Sequence, residues 1–435
     1  MAEAASRPDE SRYASPLAAE LAEDVLERFL RYVVIDTQAS VESTGYPSSA
    51  KQLDLSRVLV DELRVIGLED AELTEHGYVF ATLPGTVDDA PTVGLIAHVD
   101  TAPDEPGTGV TPIVHRAYTG GPIRLPGDPG QVLDPAELPA LAERIGHDIV
   151  TSDGTTLLGA DDKAGVAEIV SAIAYLARDA APRATARIAF TVDEEVGRGT
   201  DHFDLERFGA DFAYTFDGSG LGEVETETFS ADQLKLTIRG VGVHPGTAKG
   251  RLVNAIKLLS DVVAALPRDR LSPETTEGRE GFVHPARIAG STSSATLWFI
   301  ARDHDDEKLA EHVEVVRSLA AEVVSREPHA AFELEVEPQY RNMRRALDRH
   351  PEIVAAAETA IRRAGVEPVP SIIRGGTDGA RLTEKGLPTP NLFTGGQDYH
   401  SLREWASVQD MAAAAATAVE LVRLWGEPAQ LRRAG

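Results

Sequence analysis

Three short apolar runs in this chain each end in carboxylates or histidine, and helical patterns separate them. They are TVGLIAHVD at 92–100, ARIAFTVDEE at 186–195 and ADFAYTFD at 210–217. A nearly continuous apolar run of this length reads as a strand buried on both faces. Strands alternating with helices imply an α/β fold, a mostly parallel sheet flanked by helices. The carboxyl ends of strands in such a sheet open on one crevice. The polar residues that close these runs are therefore predicted to meet.

The chain has 435 residues, 42% of them hydrophobic, which is too long for one ordinary domain and apolar enough for a full core. Leu21, Val25, Leu26, Phe29, Leu30 and Val33 recur at helical spacing and predict a helix over 17–34. Further helices are predicted over 51–66 and 162–178, and a long one after Val408. The character changes after Gly222. An alternating strand at 230–239, a helix at 253–266, the strand ATLWFIARD, a helix at 307–325 and the strand FELEVEP read as a smaller α+β unit. The expected organisation is a disordered leader at 1–16, a main domain at 17–223 and 341–435, and an inserted unit at 224–340.

Charge and cysteine content narrow the partners. Lys+Arg number 42 against 70 Asp+Glu, a formal net charge of -28, so a phosphate backbone is repelled and nucleic acid is excluded as a partner. Cysteine count is 0, so no disulfide, thiolate nucleophile or Cys-held zinc can form, and any transition metal must be held by His, Asp and Glu. The stretch MAEAASRPDESRYASP lacks the layout of a secretion signal, and no apolar run approaches membrane-spanning length. The expectation is a cytoplasmic protein with no membrane contact.

Five motifs place metal-ligand residue types at strand or loop ends: HVDT (His98, Asp100), LLGADDKAG (Asp161, Asp162), TVDEEVG (Asp193, Glu194, Glu195), TFDG (Asp217) and GGQDYHS (His400). Alone, each is equally explained by a strand cap, a helix N-cap or an acidic surface turn. Residues two apart on a strand share a face, so Asp100 can support the His98 imidazole from behind. Three adjacent carboxylates at the end of a buried strand repel one another unless a cation or protons offset them. Two histidines and at least three carboxylates converging on one crevice match a cysteine-free zinc site, and the count fits two metals sharing a bridging carboxylate.

These motifs, with TTLLGADDKAG, HPGTAKGRLVNA, PETTEGREGFVHP, YRNM, IRGGTDGA and GLPTPNLFTGG, resemble the peptidase T group of the co-catalytic dizinc metallopeptidases over about 17–425. The HVD, DDK and DEE motifs are shared with deacylases and carboxypeptidases of the wider family. The resemblance implies a main domain holding two Zn2+, with Co2+ or Mn2+ as possible substitutes, and an inserted lid through which a homodimer can form. It implies His98 and Asp217 as ligands of the first metal, Glu195 and His400 as ligands of the second, and Asp161 as the bridge. It further implies that Asp100 orients His98, that Glu194 is the general base for a metal-bridging water, that His244 stabilises an oxyanion, and that Asn254, Arg302 and Arg374 bind substrate; an Arg fork suits a peptide carboxylate. The implied activity is removal of the N-terminal residue from tripeptides, so the expected partner is a short peptide. The alternatives are a dipeptidase, carboxypeptidase or N-acyl amino acid deacylase on the same metals, or a non-catalytic peptide- or metal-binding protein. The chain departs from the family pattern at Ser219, where glycine is familiar, and at Gln397 and Asp398 before His400.

Overall fold

The computed structural model describes residues 10–428. The expected leader at 1–16 falls partly outside them, at 1–9. Its remainder is ordered, which corrects that expectation for 10–16. The Arg12 guanidinium donates to the Gly146 carbonyl at 2.7 Å and to Asp148 at 2.6 Å, giving a buried carboxylate a cationic partner. Ser15 then caps the helix Pro16–Val33, its hydroxyl accepting the Ala18 N–H at 3.2 Å with Pro16 at the first helical position.

Two compact units divide the chain. Among the described residues, one comprises 10–226, Ala346–Ser371 and 385–428; the other comprises Glu227–Arg345 and Ile372–Glu384. The insertion expected at 224–340 lacks the second of these crossings. Long-range bonds, which periodicity cannot register, hold 372–384 in the smaller unit: the Arg374 guanidinium donates to the carbonyls of Thr276, Gly278 and Glu280.

Eight strands form the main sheet, in the order Glu72–Leu73, Val79–Leu83, Thr185–Thr191, Thr92–His98, Phe212–Gly218, Asn391–Phe393, Glu223–Thr228, Val369–Ile373. The four strands from Thr185–Thr191 to Asn391–Phe393 are parallel, and antiparallel neighbours flank them. His98 is in register with Thr191, so the HVD and DEE motifs leave the sheet side by side. The Phe212–Gly218 strand lies on the other side of Thr92–His98 and delivers Asp217.

The helix Ala160–Arg178 packs on strands Thr92–His98 and Phe212–Gly218 and is buried along nearly its whole length. Gly165 makes that approach possible, since a Cβ there would stand 2.0 Å from the Phe216 carbonyl. The helices Pro16–Val33 and Val408–Gly426 pack against this helix and each other. Phe29, fully buried in that layer, contributes about 3–5 kcal/mol by the usual cost of truncating such a core side chain.

The second unit is a four-stranded antiparallel sheet, ordered Phe282–Gly290, Ser294–Asp303, Ser230–Arg239, Ala331–Tyr340, with helices Ala255–Ala265 and Asp306–Ser325. Alternating residues Leu234, Leu236 and Ile238 join Leu297, Phe299 and Val316 in its core.

Candidate metal centre

Asp161 leads the helix Ala160–Arg178 with non-helical backbone (φ -82, ψ 105), entered from Gly159 at φ +81, a left-handed conformation that glycine adopts without a Cβ clash. Its two carboxylate oxygens point to different imidazoles. Oδ1 lies 3.0 Å from His98 Nε2, and Oδ2 lies 3.4 Å from His400 Nε2. Each imidazole has a second carboxylate beside it: Asp217 Oδ1 is 3.5 Å from His98 Nε2, and Glu195 Oε2 is 2.9 Å from His400 Nε2. Asp161 is thus shared between two His–carboxylate sets, one from strand ends 98 and 217, the other from the turn at 195 and the loop at 400. The five residues expected as ligands are brought together.

The supports differ in part from expectation. His98 Nδ1 is 3.0 Å from the Asp100 backbone carbonyl, while the Asp100 carboxylate stands 3.4 Å away. That carboxylate is fully buried and accepts the N–H groups of Glu194 and Glu195, each at 3.1 Å. Asp100 therefore fixes both the imidazole and the DEE turn. Asp193 turns the other way, to Ser48 N and Gln52 Nε2 at 2.6 Å each, which relieves the crowding of three adjacent carboxylates. Gln397 Nε2 donates to the Ser219 carbonyl, joining two positions where the chain departs from the family pattern.

Charge at the centre is badly balanced without cations. Burial alone would lower the His98 pKa, but hydrogen bonds to Asp100, Asp161 and Asp217 raise it well above its ordinary value. Hydrogen bonds to Asp161 and Glu195 push His400 up to about 11. Burial, then repulsion from Asp161, lifts Glu195 to about 8; burial lifts Asp217 to about 6 against the pull of His98. Burial would raise Asp161 too, but His400 and His98 hold it well below the usual range. Carboxylates this close to one another and to two imidazoles favour a bound cation. Glu195 Oε1 is buried with no hydrogen-bond partner among the described residues, an acceptor left over beside the cluster that Oε2 joins. Donor atoms around one tetrahedral ion with bonds of 2.0–2.1 Å stand roughly 3.3 Å apart, and the separations here bracket that spacing. The residues fit divalent metals.

Three neighbours with no metal role expected from the sequence also stand at the cluster. Asp162, read as an N-cap, accepts the His98 N–H at 3.1 Å and the Gly165 N–H at 3.2 Å, and it groups with His98 and Asp217 as a second possible ligand cluster. Tyr399 bonds through its hydroxyl to the Gly218 carbonyl at 3.0 Å and to Thr394 at 2.8 Å. Glu404 accepts backbone N–H groups of the 158–161 loop. Asp162 and Tyr399 stand within the motifs and differ in nothing local from their neighbours; Glu404 carries no local signal.

The remaining four expected residues lie in the second unit. His244 is exposed, and its Nδ1 accepts the Gly246 N–H at 3.1 Å. Asn254 caps the helix Ala255–Ala265, accepting from Ile256 N at 3.0 Å. Arg374 spends its donors on the 276–280 loop and lies 5.2 Å over the Phe229 ring. Arg302 Nε is buried without a hydrogen-bond partner among the described residues.

A parallel-centred α/β sheet with a His–carboxylate cluster able to hold two metals at its strand ends fits a metallopeptidase, and the comparisons give the family. The chain belongs to peptidase family M20/M25/M40, whose sequence model matches residues 152–424. It is 44% identical to peptidase T of Geobacillus thermodenitrificans (strain NG80-2) over 405 residues, covering 93% of this chain and 98% of that one. With peptidase T of Exiguobacterium sp. it shares 46% over 408 residues, 93% and 99% of the two chains. In fold it is similar to aminopeptidase PepT from Bacillus cereus, with a TM-score of 0.72 at 24% identity over 93% and 99% of the chains. It is likewise similar to a dinuclear metal-binding peptidase of the M20 family from Bacillus subtilis, with a TM-score of 0.64 at 15% identity over 93% and 98%. Among the described residues no helix is long and apolar enough to cross a membrane.

Proposed function

We propose that this chain is a two-zinc aminopeptidase that releases the N-terminal residue of tripeptides. The observation that carries the reading is the Asp161 carboxylate, with one oxygen toward His98 and Asp217 and the other toward His400 and Glu195. The likeness to peptidase T relatives over 93% of the chain supports the substrate class.

Bound divalent metals supply Lewis acidity, which polarises a scissile carbonyl and acidifies water. His98, Asp161 and Asp217 would hold one ion; His400, Asp161 and Glu195 the other. Asp100 would fix the turn that carries Glu194 and Glu195, so the two glutamates diverge. Glu194 would take the proton of the attacking water and return it to the leaving amine. His244 accepts a hydrogen bond at Nδ1, which leaves Nε2–H as a donor suited to an oxyanion. Asn254, Arg302 and Arg374 would bind the peptide, an Arg fork suiting its carboxylate. The reading includes a cytoplasmic enzyme and a homodimer formed through the second unit.

The test is a zinc-loaded sample offered free tripeptides, dipeptides and N-acetylated tripeptides. Release of the N-terminal residue from free tripeptides alone is expected. Cleavage restricted to the acetylated peptides would make it a deacylase and end the proposal.

A further inference from the structure

Glu404 is a buried acid, 1% exposed, that the chemistry above leaves unused. It immediately precedes the strand Trp405–Ser407. Its Oε2 accepts the N–H groups of Leu158 at 2.8 Å and Gly159 at 2.7 Å, and its Oε1 accepts that of Asp161 at 3.0 Å. All three amides belong to the one loop that presents Asp161. The helix that follows has no side-chain cap of its own, since Gly159 occupies the cap position. Such amides need an acceptor when buried, and a carboxylate is a strong one. Here it comes from a remote part of the chain. His400 lies on the same connection, four residues before Glu404. One side chain therefore ties the loop that carries His400 to the loop that carries Asp161.

We propose that Glu404 is a positioning residue: it sets the orientation of the Asp161 carboxylate and its spacing from His400, and so controls metal affinity without touching metal or substrate. The inference rests on the two-metal reading, which zinc titration of the unaltered chain tests separately. Asp161 bridges only if both of its oxygens are aimed, and its backbone N–H is the nearest handle on that aim. Glutamine at 404 keeps one acceptor oxygen but turns an NH2 toward an amide it should accept from, so the grip on the loop is broken at near-constant volume.

The experiment compares the full-length chain with Glu404→Gln and Glu404→Asp. Metal is stripped and zinc is titrated back against a competing chelator. Cobalt absorption reads ligand geometry, and apo-protein melting reads the fold. Glu404→Gln is expected to weaken zinc binding by about 10- to 100-fold, the usual effect of losing a partner that orients a ligand, and to alter the cobalt spectrum. Glu404→Asp, which keeps the charge at shorter reach, is expected to lose less. In an Asp161→Asn background the Glu404→Gln effect on zinc affinity is expected to shrink below about twofold, because the group it acts through is already disabled. Unchanged zinc affinity and cobalt spectrum in folded Glu404→Gln would overturn the proposal, as would an equal loss in both backgrounds. If both variants at 404 fail to fold, the residue determines the fold and not the site, and the proposal is equally overturned.

Discussion

Asp161 Oδ1 and His98 Nε2 stand 3.0 Å apart, while Asp161 Oδ2 faces His400 at 3.4 Å. One carboxylate therefore belongs to two His–carboxylate sets. Removing it with Asp161→Ala should disable both, so metal content is expected to fall from two ions per chain to one or none. Several kcal/mol of transition-state stabilisation would go with them, a loss of roughly 1000-fold or more in kcat. Atomic absorption on the purified variant, beside peptide turnover, checks this; two tightly held ions in the variant would refute the bridge.

Glu194 and Glu195 hang on one buried carboxylate through their N–H groups, and the Glu195 carboxylate stands 2.9 Å from His400, in the place proposed for a ligand. Glu194→Gln is therefore expected to leave metal content and peptide binding intact. Turnover should drop by about 100- to 10000-fold, the usual contribution of a positioned general base. Calorimetric peptide binding and steady-state kinetics on the same preparation separate the two effects. Turnover within about twofold of the parent would remove Glu194 from the mechanism.

Gly165 lets the helix Ala160–Arg178 approach the strand that delivers Asp217. A methyl there would meet the Phe216 carbonyl at 2.0 Å and the Asp162 carboxylate at 2.5 Å. Neither neighbour can move without shifting the sheet or the loop carrying His98's hydrogen-bond partner. Gly165→Ala is expected to cost about 1–3 kcal/mol, the common range for overpacking, and to weaken zinc binding as well. Urea unfolding of the apo chain gives the first and chelator competition the second.

The sheet and the residues that cluster at its strand ends were legible for one physical reason. Buried parallel strands are written as apolar runs, and catalytic polar residues stand at their carboxyl ends, so His98, Glu195 and Asp217 are visible in one dimension. Asp193 looked equivalent to its neighbours because sequence does not reveal that Ser48 and Gln52 draw it away. That the Asn254 side chain caps a helix is likewise a matter of local geometry that its residue type alone does not state. Arg374 and the 276–280 loop are far apart in sequence, so their union, which carries 372–384 into the second unit, left no periodic trace. Glu404 was invisible for the same reason.

Glu225 lies buried on the strand Glu223–Thr228, where it accepts the Asn391 side-chain N–H at 2.6 Å. Burial, then repulsion from Glu223, pushes its pKa from the ordinary 4.5 up to about 8. The folded chain therefore binds this proton more tightly than the unfolded chain does. Between those two values the folded state holds more protons, so stability falls as pH rises. The contribution is fully present below about pH 4.5 and gone above about pH 8. Glutamine still accepts the Asn391 bond but has no charge to bury. Glu225→Gln is thus expected to match the parent near pH 5 and to exceed it at pH 8.5 by a few kcal/mol, on the order of one pKa unit per 1.4 kcal/mol before relaxation reduces it. Urea unfolding of both proteins across that range, with metal removed, gives the difference. A gap that stays constant with pH would show that Glu225 is ionised throughout.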